Sequence, residues 1–339
     1  MKRALYSIAA IVLIAAASIT WYGYSLLFKN NIHGETGYLY IREGATVESF
    51  MTDIDSLGTI RNKRSLRRVA SIEKLEGSIK PGRYRIKSGM GNREIVRMVK
   101  YGWQTPLNIT ISGNIRTKER LAGILSRKLE ADSSSMLRML NNDSLAFSMG
   151  FKPETFIGMF IPDTYEVFWT VTPVELAERF RKEYEKFWNE ERRAQAYAAG
   201  FTPEQITIIA SVVAEETNIR EEYPVIAGVY INRLKAGIPL QADPTVKFAL
   251  NDPSVKRILF KHLQIESPYN TYKNKGLPPG PITIPSAAAI DGVLTFKKHG
   301  YFYFCAKPSL DGSHVFASSL AEHGRNARAY QNAISKLKM

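Results

Sequence analysis

Two adjacent glutamates, Glu215 and Glu216, end the otherwise small and apolar stretch ASVVAEETN, residues 210–218. The preceding TPEQ, residues 202–205, has a capping-box pattern with proline at the first helical position, so it predicts the start of a helix. At about 100° per residue, this helix carries Glu216 in the middle of a stripe of isoleucine and valine side chains and Glu215 at the edge of that stripe. The two carboxyl groups are therefore predicted to occupy different environments.

A carboxyl group on an apolar surface has the property that a general acid needs. Burial disfavours the charged form and raises the pKa toward neutral pH. The alternative interpretation of Glu216 is a structural ion pair, for which Arg220, four residues later, is the candidate partner. Thr207 and Ser211 fall on the opposite side of the helix, which is predicted to be polar. Helix geometry favours Glu216 over Glu215 as the general acid. For Glu216 itself, the general acid and the structural ion pair both stay open.

Other kinds of chemistry have little support in the sequence. The five histidines form no His-x-x-x-His pair and no cluster with cysteine, so we predict neither a metal site nor a cofactor. No Gly-x-Ser-x-Gly motif is present, although a Ser-His-Asp site stays open. The single cysteine, Cys305, allows no internal disulfide and is predicted to be a small core residue in the buried strand YFYFCA. A mechanism with one carboxyl group is the simplest interpretation.

The N-terminus predicts a membrane anchor. Residues 4–28 carry no formal charge and would form a helix about 37 Å long, which is sufficient to cross a bilayer. Because Lys2 and Arg3 precede this run, residues 1–3 are predicted to be a cytoplasmic tail and residues 29–36 a linker on the other side. A cleaved signal peptide is the alternative, which the length of the apolar run disfavours. In both cases the bulk of the chain lies outside the cytoplasm, which argues against nucleic acid as a partner.

The remaining sequence predicts an α+β protein with two parts. Residues 37–104 have the pattern of a small unit of strands and helices, and residues 105–339 that of a larger mixed domain. The net charge of the 339 residues is +14, and fifteen Lys and Arg outnumber eight Asp and Glu in residues 29–100. This excess predicts attraction to anionic lipid or to an acidic cell-wall polymer, with a solvated basic face as the alternative.

Five stretches of the chain together resemble one known family. They are ASVVAEETN, GVYINRLKAGIPLQADPTVKFAL, SPYNTYKNKGLPPGPITIPS, FIPDTYEVFW and DGSHVFASSLAEH. Their order and spacing resemble the YceG-like family of endolytic murein transglycosylases. The resemblance extends to the apolar N-terminus and to residues 37–104, which are similar to the family's LysM-like domain. It identifies residues 105–339 as a YceG-like catalytic domain.

The resemblance implies a lytic transglycosylase, a lyase that cuts peptidoglycan strands internally. Cleavage falls between N-acetylmuramic acid and N-acetylglucosamine without water and leaves a 1,6-anhydro end. The family also implies a single-pass protein of the bacterial inner membrane with its bulk on the periplasmic side. Its substrates would be nascent glycan strands, whose elongation it would terminate, and peptidoglycan synthases would be further partners. A non-catalytic wall-binding scaffold and a hydrolytic muramidase are the alternatives.

The family's catalytic glutamate falls on Glu216, although Ala214 stands where the family motif has an earlier glutamate. One carboxyl group suffices for the implied reaction, because the C6 hydroxyl of the muramyl sugar is the nucleophile and lies close to the reacting carbon. Seven further family-matching positions are candidates for contacting substrate or orienting Glu216: Gln241, Asp243, Tyr269, Asn270, Tyr272, Asn232 and Arg233.

Individual roles can be assigned to these candidates. Tyr269 and Tyr272 are expected to stack on sugar rings, and Asn270 to bond an acetamido group, with a packed loop as the alternative. Arg233 is expected to pair with Glu216 or with a substrate carboxylate. The pair in LQADPT, Gln241 and Asp243, is either a structural turn or a set of hydrogen-bonding groups near the sugar.

Overall fold

The computed structural model describes residues 2–35, 37–252 and 254–337. The predicted tail and linker each include a residue outside this description, Met1 and Thr36 respectively. The chain is a mixture of helix and sheet, as predicted, with 53% helix and 9% strand. It divides into two compact units. Unit 1 comprises Met1–Ile109, Lys128–Ala131 and Tyr165–Val171, and unit 2 comprises Thr110–Arg127, Asp132–Thr164 and Thr172–Met339.

The regular elements follow one another along the chain. The first six are α1 (Lys2–Phe28), β1 (Gly37–Ile41), α2 (Val47–Ser56), α3 (Lys63–Ile72), β2 (Gly82–Ile86) and α4 (Asn92–Tyr101). Strands β3 (Leu107–Thr110) and β4 (Thr164–Val167) pair with each other, and between them lie α5 (Lys118–Ser126), α6 (Ser133–Leu140), α7 (Asp143–Ser148) and a 3₁₀ helix (Phe156–Met159).

The later elements belong to unit 2. They are α8 (Pro173–Phe187), α9 (Glu190–Ala199), α10 (Pro203–Glu216), a 3₁₀ helix (Arg220–Glu222), α11 (Tyr223–Lys235), α12 (Asp243–Leu250), a 3₁₀ helix (Phe260–Gln264), α13 (Ala287–Leu294), β5 (Tyr303–Ala306), β6 (His314–Ala317) and α14 (Leu320–Leu337). Strands β5 and β6 form an antiparallel pair.

Helix α1 is long and apolar enough to cross a membrane. The helix has 27 residues, an 18-residue window within it has a mean hydropathy of 2.0, and none of its residues is buried within the protein. An apolar helix that the protein itself leaves uncovered is unfavourable in water, whereas lipid would cover it. The helix is therefore compatible with a single-pass anchor.

A core formed by strands and helices stabilises the rest of unit 1. Strand β1 pairs antiparallel with β2, from Gly37 opposite Ile86 to Ile41 opposite Gly82, and α2 and α3 lie between these strands in sequence. The alternation of the strands turns Leu39 and Ile41 inward, where they join Phe50 and Leu66 of the helices among the fully buried side chains.

Buried asparagines join the end of α1 to the remainder of unit 1. The Asn92 Nδ2 atom donates to the Leu26 carbonyl at 2.8 Å and to the Ser65 Oγ at 3.0 Å. Its Oδ1 accepts a 2.6 Å hydrogen bond from Asn31, which also donates to the Asn62 carbonyl. Leu26 lies in the last turn of α1, where carbonyls have no partner within the helix. The asparagines therefore satisfy a helix end that would otherwise be left unpaired.

Helix α10 lies at the centre of unit 2 and begins where the sequence predicts. Thr202 and Gln205 form the capping box, and Pro203 occupies the first turn. The prediction of a polar side is wrong, since Thr207 is 3% exposed and Ser211 is fully buried. Each hydroxyl donates to a carbonyl of its own helix, and Ser211 also accepts from the Ile282 amide. Hydrogen bonds of this kind allow small polar residues to be buried, so that α10 is covered on every side.

Helix α11 approaches its neighbours closely through Gly228. A methyl group at this position would lie 2.4 Å from the Lys297 carbonyl oxygen, so a side chain cannot be accommodated without a shift of the backbone. The close approach places Asn232, one turn later, within reach of the His299 and Tyr301 carbonyls. These contacts hold α11 against the segment that leads into β5.

We expect Asn92→Leu to lower the free energy of unfolding by about 1–3 kcal/mol, because the Leu26 carbonyl and the Asn31 amide then lose a buried partner. Thermal unfolding of the full chain in detergent measures the change. Asn30→Ala is the matched control, since Asn30 is exposed and its side chain makes no hydrogen bond with the described residues. Equal melting temperatures for Asn92→Leu and the wild type would contradict this account of the helix end.

Candidate active site

The carboxyl group of Glu216 lies at the end of α10 and lines a cavity of about 330 Å³. Helices α11, α12 and α14, strands β5 and β6, and the loops that carry Gln241 and Tyr272 supply the other surfaces. Among the lining residues are Tyr230, Arg233, Gln241, Asp243, Tyr272, Phe302, Tyr303, Phe304 and His314. The cavity therefore combines titratable groups with a row of aromatic side chains, a mixture typical of ligand pockets.

Glu216 is held by one short hydrogen bond in a desolvated position. The hydroxyl of Tyr230 on α11 donates to Glu216 Oε1 at 2.5 Å. Burial raises the pKa of Glu216 to about 7, the bond from Tyr230 opposes that rise, and the nearby charges of Asp243 and Glu215 add to it. A substantial fraction of Glu216 is thus protonated at neutral pH, as a general acid requires.

Glu215 is engaged in a different set of contacts. Its carboxylate forms an ion pair with Arg116, and its Oε1 accepts a 2.6 Å hydrogen bond from Asn114. Glu216, in contrast, has no ion-pair partner among the described residues, and Arg220 does not contact it. The structural ion pair therefore belongs to the first glutamate and not to the second.

The structure brings two of the candidate residues, Asp243 and Tyr272, to the Glu216 cavity as a pair. Asp243 is the first residue of α12, and its Oδ1 accepts a 2.6 Å hydrogen bond from the Tyr272 hydroxyl. Burial, together with this bond to a carboxylate, raises the pKa of Tyr272. The cavity therefore contains two carboxyl groups, each of which is bonded to a tyrosine hydroxyl.

Arg233 and Gln241 also line the cavity, but their polar groups are committed to each other and to the backbone. Arg233 is 5% exposed, and its guanidinium donates to the Pro239 carbonyl, the Phe302 carbonyl and Gln241 Oε1, at 2.9, 2.8 and 2.5 Å. Arg233 thus does not pair with Glu216. It instead joins the turn before α12 to the segment before β5 and fixes the position of both.

The remaining three candidates lie away from Glu216. Asn232 donates to the His299 and Tyr301 carbonyls, and the fully buried Asn270 donates to the Leu263 and Ile265 carbonyls. Tyr269 packs against Phe248, with 4.7 Å between ring centroids, and lines a different cavity. These contacts organise the loops around the site.

Several lining residues were not selected from the sequence. Tyr230 lies inside one of the family-like stretches. The pattern of apolar residues along α11 does not predict that its hydroxyl contacts Glu216. Cys305 was predicted to lie in a buried strand, which is wrong, since all four residues of β5 are half-buried and its neighbours face the cavity. The run YFYF, with four consecutive aromatic residues, is the feature of the sequence that indicates an aromatic surface here.

A buried pair of Glu222 and His314 connects β6 to the segment after α10. The two oxygens of Glu222 accept hydrogen bonds from the His314 amide at 2.7 Å and from Thr217 at 3.0 Å, and His314 Nδ1 lies 2.8 Å from the carboxylate. Burial opposes the charge, yet these bonds outweigh it and lower the pKa of Glu222. The pair holds His314 at the edge of the cavity.

Within the part of the chain that the structure describes, no group of three or more His, Cys, Asp or Glu converges as metal ligands would.

We expect Glu216→Gln to stabilise the protein at pH 8 and to change little at pH 4.5. The folded pKa of about 7 lies above the ordinary 4.5, so the wild type loses stability as the pH rises between these values, by up to about 3 kcal/mol. Glutamine stays neutral and avoids that loss. Melting temperatures against pH measure it, with Glu215→Gln as the matched control. The control should melt lower at pH 8, because Arg116 loses its partner. A variant that melts no higher than wild type at pH 8 would disprove the desolvation of Glu216.

The sequence model of the YceG-like family matches residues 39–329. The chain is also similar to two curated relatives named endolytic murein transglycosylase. That of Bacillus subtilis is 41% identical over 126 residues, which cover 37% of this chain and 34% of the relative. That of Streptococcus pneumoniae strain D39 is 23% identical over 324 residues, which cover 86% of this chain and 58% of the relative. The chain thus spans about a third to three fifths of the length of these relatives.

A solved structure has the same fold. The crystal structure of a yceG-like protein from Listeria monocytogenes superposes with a TM-score of 0.54 at 24% identity, and the match covers 86% of this chain and 99% of that one. At this identity the likeness concerns the fold alone. Since the family match includes most of the chain, from the first strand of unit 1 into the last helix, the protein belongs to the YceG-like family.

Proposed function

We propose that this protein is an endolytic lytic transglycosylase that cuts peptidoglycan strands and leaves 1,6-anhydro-muramyl ends. The observation that carries the proposal is the Glu216 carboxyl group, whose pKa is raised to about 7 by burial beside an aromatic-lined cavity. The names of the relatives from Bacillus subtilis and Streptococcus pneumoniae support the same activity.

The reaction needs one group that first donates and then accepts a proton. Protonated Glu216 donates its proton to the glycosidic oxygen as the C1–O bond breaks, and the leaving sugar departs with a new hydroxyl. The resulting carboxylate accepts the proton of the muramyl C6 hydroxyl as that oxygen bonds to C1. Atoms and charges balance, Glu216 is again protonated, and no water is consumed. A carboxyl group with a pKa near neutrality is suited to both steps.

The side chains of Tyr230 and Asp243 assist Glu216 in these two steps. The hydroxyl of Tyr230 fixes one carboxyl oxygen, which leaves the other for the substrate, and stabilises the carboxylate formed between the two steps. The charge of Asp243, which reaches Glu216 electrostatically, would also stabilise the positive charge that develops on the sugar ring. The side chains of Phe302, Tyr303 and Phe304 offer apolar surfaces on which a sugar ring can stack.

The location follows from the anchor. We propose that α1 spans the inner membrane with the N-terminus in the cytoplasm, because Lys2 and Arg3 precede the apolar run. The part of unit 1 that follows α1, and all of unit 2, then lie on the periplasmic side, with access to nascent strands and their synthases. We further propose that residues 37–104 act as a LysM-like glycan-binding domain, which the β-α-α-β order of β1, α2, α3 and β2 supports.

A hydrolytic muramidase is the second candidate, and a specific observation favours it. Asp243 places another carboxylate in the same cavity, and a second carboxylate is what activates water in hydrolytic glycosidases. The hydroxyl of Tyr272 already donates to Asp243, which occupies one of its oxygens and disfavours a role as general base. The two candidates differ in their products, which carry reducing ends after hydrolysis and anhydro ends after transglycosylation.

We expect Glu216→Gln to reduce the release of anhydro-muropeptides from purified peptidoglycan by at least about a hundredfold, because the amide can neither donate nor accept the proton. Mass spectrometry of the soluble products measures the change. Glu221→Gln is the matched control, since this exposed neighbour does not line the cavity and should retain wild-type activity. Reducing ends from the wild type would show a hydrolase, and the absence of product from both wild type and control would show a binding scaffold.

We also expect Tyr230→Phe to move the alkaline limb of the pH–rate profile to higher pH. The bond from Tyr230 lowers the pKa of Glu216, so its removal raises that pKa further and keeps Glu216 protonated up to a higher pH. Initial rates from pH 5 to pH 9 measure the limb. Tyr301→Phe, which removes a hydroxyl that does not line the cavity, should leave the profile unchanged. A limb that stays in place or moves to lower pH would show that Tyr230 does not position the acid.

A further inference from the structure

A second cavity, of about 440 Å³, lies within unit 1 where α1 ends. Tyr22, Ser25 and Leu26 of the last turns of α1 form one side of it, and α3 with the segment before it forms the other. Four of its lining residues are cations, namely Lys29, Arg61, Arg64 and Arg68, and none is acidic. All four cations are exposed to solvent, and a cluster of like charges without a counter-charge attracts anions.

The four cations differ from their neighbours in having no acidic partner. None of them forms an ion pair with a described residue. On the same helix, Lys63 pairs with Asp55 and Arg67 pairs with Glu48. Helix α3 thus has one neutralised face, and it directs Arg64 and Arg68, one turn apart, toward the cavity.

The polar groups at the base of the cavity are already ordered. Asn31 and Asn92 line it, are 4% and 2% exposed, and bond to each other at 2.6 Å. On the side of α1, Arg68 Nη1 donates to the Tyr22 hydroxyl at 3.1 Å. The asparagine amides already donate to protein acceptors, whereas the exposed guanidinium groups of Arg64 and Arg68 can each donate two parallel hydrogen bonds to phosphate oxygens.

The position of the cavity along α1 selects the kind of anion. The apolar run of α1 ends at Phe28, and Trp21, Tyr22 and Tyr24 are exposed near that end, as residues at a membrane interface are. With α1 across a bilayer, the cavity lies at the level of the lipid phosphates.

We infer that this cavity is a binding site for the phosphate group of an anionic membrane lipid. The site adds a specific contact to the apolar anchor and fixes the rotation of α1, and hence of unit 1, relative to the membrane surface. The inference depends on the proposal that α1 spans the bilayer, but not on catalysis by Glu216.

The test is lipid binding by the full chain in detergent, followed by native mass spectrometry during titration with phosphatidylglycerol. The double variant Arg64→Gln with Arg68→Gln should bind roughly 30-fold more weakly than wild type, from about 1 kcal/mol for each cation at about 1.4 kcal/mol per tenfold. The matched control is Lys63→Gln with Arg67→Gln. It removes the same charge from the same helix outside the cavity and should bind within about threefold of wild type.

Two further arms identify the source of the phosphate. Phosphatidylcholine, whose headgroup is neutral overall, should bind much more weakly than phosphatidylglycerol, and inorganic phosphate should compete only at far higher concentration. If the first double variant unfolds in detergent, Lys29→Gln with Arg61→Gln tests the same cavity from its other side. Equal losses in the cavity and control variants, equal binding of the two lipids, or competition by inorganic phosphate at lipid concentrations would each overturn the inference. Because no glycan is present, none of these outcomes bears on the transglycosylase activity.

Discussion

The functional site depends on how the Glu216 carboxyl group is kept in a desolvated position at the end of α10. That helix is covered on every side, and its buried hydroxyls bond to its own backbone, so its end occupies a fixed position. The single hydrogen bond from Tyr230 orients the carboxyl group without supplying a positive charge. A lysine or arginine in the same place would keep the carboxylate charged at neutral pH, whereas a tyrosine leaves it able to exchange a proton.

The adjacent glutamate shows how the surroundings divide two identical side chains between two tasks. Glu215 is paired with Arg116 and bonded to Asn114, so it joins α10 to the segment before α5. Glu216 faces the cavity and has a raised pKa. Around it, the buried Arg233 fixes the segments that carry Gln241 and Phe302, and the pair of Glu222 and His314 fixes β6. Most charged side chains of the site therefore hold other residues in position, and few are free to contact a substrate.

Unit 1 uses polar contacts for a different purpose. Its buried asparagines satisfy the carbonyl of Leu26 and connect α1 to α3 and α4, so the apolar helix continues into a folded unit without a flexible joint at this point. The unpaired cations lie directly beside this junction. An anchor joined rigidly to its unit makes the orientation of that unit depend on the membrane, which a long linker would not do.

The sequence by itself determined the features that depend on local order. The charge-free run of α1, the capping box of α10 and the mixed helix and sheet follow from composition, periodicity and short motifs, and the distinction between Glu215 and Glu216 follows from helical geometry. Only the tertiary structure decided which side chains meet. Periodicity gives the direction of a side chain from its own helix, but not the partner that lies there. It therefore placed Thr207 and Ser211 at a polar surface and left an ion pair with Arg220 as the alternative role of Glu216. Packing buried the first two and brought Tyr230, Asp243 and Tyr272 to Glu216 from separate segments of the chain. Contacts between distant segments depend on how whole helices and strands pack together, and no local pattern records that arrangement.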